Sequence, residues 1–157
     1  MIDTSDGFVP LLERRAAHQR EGVFARIGDE ALTFGRLSAR SLRREGVGTG
    51  DRVALMIPNS ADAIALLFGI AKAGAVWVPV NVQQRGDGLA YILEHSAPSL
   101  IVGDADTAPT AAAAYPHAPV WTLGAAATTG AGRVEDSLGD GAPFGEPLPG
   151  VDEPFAI

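Results

Sequence analysis

The chain has 157 residues, 46% of them hydrophobic, the size of one domain with enough apolar material for a core, which excludes wholesale disorder. It has no cysteine, which removes disulfides, thiolate zinc sites and cysteine nucleophiles together and agrees with a reducing, cytoplasmic setting. The formal charge of −7 comes from residues 104–157, where Arg133 stands against eight acids; such a chain repels phosphate backbones, so nucleic acid is not expected as a partner.

The first residues, Met1-Ile2-Asp3-Thr4-Ser5-Asp6, show neither the basic region nor the apolar run of an export signal. Pro10 stands near the start of a helical pattern through Leu11, Leu12, Arg15, Ala16 and Gln19, whose apolar side is short. Val23 to Ile27 and Ala31 to Phe34 read as two short strands around Gly28-Asp29-Glu30, a small hairpin. Thr33 is placed to cap the next helix, although Arg36 brings a cation to the positive end of the helix dipole. Arg36, Arg40, Arg43 and Arg44 form a stripe along one side of that helix. The stripe reads as a solvated face or, alternatively, as a docking face for an acidic domain or a phosphate-bearing ligand.

From Asp51 the pattern sharpens. Val53 to Ile57 is a continuous apolar run of strand length, as expected of a parallel strand covered on both faces. Ser60 is a good N-cap with Asp62 in the first turn, and the helix it opens runs to about Lys72 before Gly74 stops it. The predicted core face of this helix is Ile64, Leu67, Phe68 and Ala71. Leu66 and Ile70 lie off that face, so the helix needs a cover on both sides, and these two are the residues expected to be bare. Ala75 to Val80 is the next strand. The stretch from Ala61 to Val80 approaches the length of a membrane span, but Asp62, Lys72, Gly74 and Pro79 interrupt it, and no membrane span is expected.

A second helix over about Asp87 to His95 leads to a third strand, Ser99 to Val102, and the alternation predicts an open, mostly parallel, doubly wound α/β sheet. Residues 1–103 form its core. Residues 104–157 are an acidic continuation, partly ordered, in which alanine, glycine and proline make up 27 of 54 residues. Within it Ala111 to Ala114 reads as helical and Val120 to Leu123 as a strand, while Ala125 to Gly132 and Gly139 to Pro149 read as loops.

Isolated chemistry is sparse. His18, His95 and His117 have no metal-ligand spacing and read as surface or helix-end residues, and the sole lysine, Lys72, ends a helix. Asn59-Ser60, at the carboxyl end of a strand and the start of a helix, is where α/β folds place ligands, and equally where such helices are capped. Gly130-Ala131-Gly132 is the nearest approach to a phosphate-binding loop, and Glu135 and Asp136 after it would repel phosphate. No catalytic residue and no metal ligand is assigned.

Longer stretches say more. Leu32-Thr33-Phe34-Gly35-Arg36-Leu37 resembles the leucine-threonine-aromatic segment near the start of the adenylate-forming enzymes, the superfamily of acyl-CoA synthetases, peptide-synthetase adenylation domains and luciferases. Gly50-Asp51-Arg52-Val53-Ala54-Leu55, Pro58-Asn59-Ser60, Ile70 to Asn81 and Tyr91-Ile92-Leu93-Glu94-His95-Ser96 follow in the family's order and at about its spacing. Among its branches the chain looks most like the fatty-acid and carnitine-type acid-CoA ligases.

The resemblance implies the large N-terminal domain of an enzyme that joins a carboxylic acid to ATP with magnesium, releases pyrophosphate and passes the acyl group to coenzyme A. The family's phosphate loop, rich in glycine, serine and threonine, and its C-terminal lysine have no counterpart here, and Asp152 to Ile157 looks like the segment just before that loop. The chain alone is therefore expected to hold no cofactor and to make no acyl-adenylate. Two departures stand out. The helix after Thr33 is about two turns shorter than the family's, and Gln83 stands where relatives often carry an arginine near the coenzyme A phosphates, which makes Arg85 a candidate phosphate contact, with a plain surface arginine as the alternative reading. Two functional readings follow: an N-terminal piece of an acid-CoA ligase, partnered by the remainder of the enzyme or another covering domain and prone to self-association through bare apolar faces, or a stand-alone, non-catalytic binding module that keeps the fold.

Overall fold

A computed structural model of the chain describes residues 7–39, 42 and 46–123. The described part opens with a layer of four small elements: α1 (Phe8–His18), β1 (Val23–Ile27), β2 (Glu30–Thr33) and α2 (Phe34–Ala39). The hairpin turns at Gly28, whose φ of 59° is the left-handed conformation that glycine adopts without strain, and β1 and β2 pair antiparallel from Ile27↔Glu30 to Val23↔Thr33. Thr33 caps α2 as expected, its hydroxyl accepting from the Arg36 N–H at 3.2 Å. Arg36 is tolerated at the positive end of the helix because its guanidinium is paired with Glu30 and, at 2.8 Å, with Asp62. It is half-buried and ties the hairpin to the following helix, so it is no member of a solvated face; Arg40, Arg43 and Arg44 lie outside the described residues.

The main sheet contains β3 (Arg52–Met56), β4 (Val76–Pro79), β5 (Leu100–Gly103) and β6 (Val120–Thr122), all parallel, in the order β4-β3-β5-β6. The strand connections are helical: α3 (Ala61–Ala73) joins β3 to β4, α4 (Gly86–Ser96) joins β4 to β5, and α5 (Ala108–Ala114) joins β5 to β6. Val53, Ala54, Leu55 and Met56 are all buried because successive side chains of β3 enter opposite cores. Val53 and Leu55 pack with Leu66 and Ile70 of α3, while Ala54 and Met56 pack with Leu89 and Leu93 of α4 and Ala111 of α5. The sheet is therefore doubly wound, with one helix on one face and two on the other. Arg52 holds the end of α4, donating to the Ser96 carbonyl at 2.7 Å and the Ala97 carbonyl at 2.8 Å, and so supports Ala97 in a left-handed conformation, φ 44°.

The predicted core face of α3 is corrected. Leu66 and Ile70, expected to be bare, are fully buried against the sheet, whereas Ile64, Leu67 and Phe68 are half-buried. The opposite side of the helix, at Ala61 and Ala65, packs with Leu12, Leu32 and Leu37 of the N-terminal layer. Both sides of α3 are apolar, and periodicity alone does not say which one meets the strands. Leu66→Ala and Ile70→Ala are each expected to cost about 2–5 kcal/mol in urea unfolding, and Leu67→Ala clearly less. Equal losses at all three positions would return Leu67 to the main core.

One polar pair fastens the N-terminal layer to α3. Lys72 is fully buried, and its ammonium meets the Glu13 carboxylate of α1 at 2.9 Å. Burial pushes the Lys72 pKa below the usual 10.5, and Glu13 offsets part of that shift. Because the folded value is depressed, the Lys72 contribution to stability improves as pH rises from that value toward 10.5. Glu13→Ala removes the offset and is expected to cost about 3–5 kcal/mol at neutral pH. That deficit should shrink as unfolding is repeated at increasing pH toward 10; a deficit independent of pH would show that Lys72 charge is not its cause.

Candidate functional site

In an open parallel sheet, ligands enter outside the carboxyl ends of the strands, most often where the winding changes direction. Here that point lies between β3 and β5, and the β5–α5 turn closes it. The Thr107 hydroxyl donates to the Met56 carbonyl at 2.5 Å and accepts from the Asp104 N–H at 2.9 Å. A side chain at Gly103 would meet the Ala108 backbone nitrogen at 2.6 Å, so only glycine allows this approach. The Asp104 carboxylate accepts from the N–H groups of Asp106 and Thr107. Partial burial pushes the Asp104 pKa up, but these hydrogen bonds outweigh it and hold the group below the ordinary carboxylate value.

The open space lies instead at the carboxyl ends of β3 and β4. A hollow of about 970 Å³ is bordered by Pro58-Asn59-Ser60 after β3, by Trp77 and Pro79 of β4, by Asn81 and Val82 beyond it, and by Leu67 of α3. Its polar groups are partly engaged by the backbone. The Ser60 hydroxyl accepts from the Ala63 N–H at 3.1 Å and caps α3, and the Asn81 side-chain Oδ1 accepts from the Gln83 N–H at 2.8 Å. Among the described residues no charged side chain lines the hollow. It is able to orient an apolar or neutral group but supplies no cation for a triphosphate and no acid or base for proton transfer.

Arg85 lies three residues beyond Val82 and is not among the residues that border the hollow. It is exposed, precedes the first residue of α4, and its Nη1 donates to the Val82 carbonyl at 2.6 Å and the Gln84 carbonyl at 2.7 Å. His18, His95 and His117 are exposed as expected; His95 stacks on Tyr91 and His117 meets Tyr115 edge to face. Among the described residues no group of three or more acids and histidines is placed to hold a metal, and no helix is long and apolar enough to cross a membrane. Gly130-Ala131-Gly132 and the two expected loops after Leu123 lie outside the described residues. The buried Glu13–Lys72 pair was missed in the sequence, where the two positions belong to separate helices and share no spacing.

The fold and the strand-end hollow define a doubly wound α/β domain of the ligand-binding kind. The family of AMP-binding enzymes matches over residues 12–141, and the chain belongs to that family. It is similar to tyrocidine synthase 2 of Brevibacillus parabrevis, 35% identical over 98 residues, or 59% of this chain and 3% of that protein. It is also similar to a feruloyl-CoA synthase of an Amycolatopsis species, 37% identical over 106 residues, or 64% of this chain and 22% of that protein. A solved Rhodopseudomonas palustris structure, described as a long-chain-fatty-acid CoA ligase, superimposes on 97% of this chain and 41% of its own with a TM-score of 0.83 at 28% identity. The chain thus spans less than half the length of each of these relatives.

The assignment of Ser60 to capping is open to direct measurement. Ser60→Ala is expected to lower stability by about 1 kcal/mol and Ser60→Asp to restore it. A Ser60→Ala variant with unchanged urea midpoint would remove the cap as the reason for serine at this position.

Proposed function

We propose that the chain forms the N-terminal part of an acid-CoA ligase, in which a carboxylic acid is activated with ATP and the acyl group is passed to coenzyme A. The observation that carries this reading is the likeness to the Rhodopseudomonas palustris CoA ligase over 97% of the chain. The likeness to feruloyl-CoA synthase agrees with it. A cytoplasmic role in fatty-acid metabolism is the corresponding setting.

In this reading the chain supplies scaffold, and the chemistry resides in the remainder of the enzyme. Stabilising a leaving pyrophosphate takes several convergent donors or cations. Among the described residues the lining of the strand-end hollow is uncharged, and ATP and magnesium are assigned to the remainder for that reason. Arg85 is the proposed contribution to coenzyme A binding, as a phosphate contact.

Two assays test the proposal together. The chain alone is expected to give no acid-dependent ATP–pyrophosphate exchange. A chimaera carrying residues 12–123 of this chain in place of the matching segment of the Amycolatopsis feruloyl-CoA synthase is expected to form the CoA thioester. Exchange by the chain alone would contradict the division of labour, and a folded but inactive chimaera is the result expected of a stand-alone binding module.

A further inference from the structure

The strand-end hollow draws its lining from two layers. The sheet and α3 supply most of it, and among the described residues the N-terminal layer supplies one side chain, Ile27 at the end of β1. The space open to a ligand therefore depends on how the hairpin is held against α3, whose Ala63 and Ile64 are in the same lining. Ile27 pairs with Glu30 across the hairpin, and Asp62 directly precedes Ala63 on α3. Arg36 joins these two neighbours, its Nη1 paired with Glu30 and its Nη2 with Asp62 at 2.8 Å. One guanidinium thus spans from the residue opposite Ile27 to the residue beside Ala63.

Apolar burial and the ion pairs do different work at this junction. Leu12, Leu32 and Leu37 meet Ala61 and Ala65 in the core beneath the layer, and Ile27 and Ile64 pack against it. That contact supplies adhesion but is non-directional, so it holds the hairpin on α3 without fixing where Ile27 stands. A guanidinium is a rigid planar fork, and its two arms set the separation and angle of the groups they bind. The side chains of Arg36 and Asp62 are each 34% exposed and that of Glu30 is 50% exposed, so the pairs add little stability. Arg36 is anchored in turn at the start of α2, where its N–H donates to the Thr33 hydroxyl at 3.2 Å. Its effect is on geometry and not on adhesion.

We propose that Arg36 is a positioning residue of the strand-end hollow: its fork on Glu30 and Asp62 fixes the Ile27 wall relative to the Ala63–Ile64 wall and so sets the width open to a ligand. Arg36 is absent from the lining and touches no ligand; it acts through the two carboxylates behind the walls. The assignment of shape stands on this geometry alone, and its bearing on substrate rests on the acid-CoA ligase reading.

The chain has no cysteine, so spin labels at Arg26→Cys of β1 and Glu94→Cys of α4, both exposed positions, report the distance from hairpin to sheet by pulsed electron resonance. Arg36→Met, which keeps an unbranched stem, is expected to leave the urea midpoint nearly unchanged and to widen the distance distribution at least about twofold. Leu12→Val, which thins the apolar contact and leaves the fork intact, is expected to lower the midpoint and keep the distribution narrow. In the chimaera with the feruloyl-CoA synthase, Arg36→Met should raise the KM of ferulate or coenzyme A, whichever the hollow receives, about tenfold, with kcat and the KM of ATP within about twofold. An unchanged distribution in Arg36→Met, or equal widening in Leu12→Val, would overturn the positioning role. So would an active chimaera whose KM values Arg36→Met leaves unchanged. An inactive chimaera, with the widening still present in the free chain, counts against the acid-CoA ligase reading alone and upholds the role of Arg36.

Discussion

Everything in the described structure depends on a helix that is apolar on two sides. Thirteen residues of α3 include Leu66, Ile70 and Ala73 on the side of the sheet and Ala61 and Ala65 on the side of the N-terminal layer. Neither side is stable in water, so the helix is held between two layers. Burial of the sheet-facing side fixes β3 and β4 on either end of the helix. Burial of the other side recruits α1, the hairpin and α2, which together have too small a core to stand alone.

Two polar links set the register between the layers. Glu13 reaches Lys72 near the carboxyl end of α3, and Arg36 reaches Asp62 near its amino end. A buried pair of this kind adds little net stability, because desolvation offsets the attraction, but it penalises any arrangement that leaves Lys72 without its partner. The consequence for function is geometric. With α3 fixed at both ends, Asn59-Ser60 is held at the mouth of the strand-end hollow, and Phe68 is held against Phe8 and Phe24.

Much of this was legible from residues alone. The strand at Val53 to Met56 announced itself by an unbroken apolar run bounded by Asp51 and Pro58, and α3 by Ser60 at one end and Gly74 at the other; Gly74 adopts the left-handed conformation expected of a helix stop, φ 72°. The hairpin was read from Gly28. What could not be read was orientation across layers. A helix with two apolar sides offers no periodic signal to rank them, which is why Leu66 and Ile70 were misplaced. Lys72 looked like an ordinary helix-end cation because its partner lies in another helix. The cluster of Phe8, Phe24, Phe34 and Phe68 draws one ring from each of four elements, so its members share no spacing along the chain. The family, by contrast, was visible in short segments whose order mattered more than any single motif.

The most direct measurement of the two-sided role of α3 is native-state hydrogen exchange across a urea series. If α3 binds both layers into one cooperative unit, the amides of Ala31 to Thr33 in β2 and of Val53 to Met56 in β3 will converge on one opening reaction, with the same free energy and the same urea dependence. Exchange of β2 through a separate, low-energy opening while β3 stays protected, at every urea concentration below global unfolding, would contradict the account and make the N-terminal layer a loosely attached appendage of the sheet.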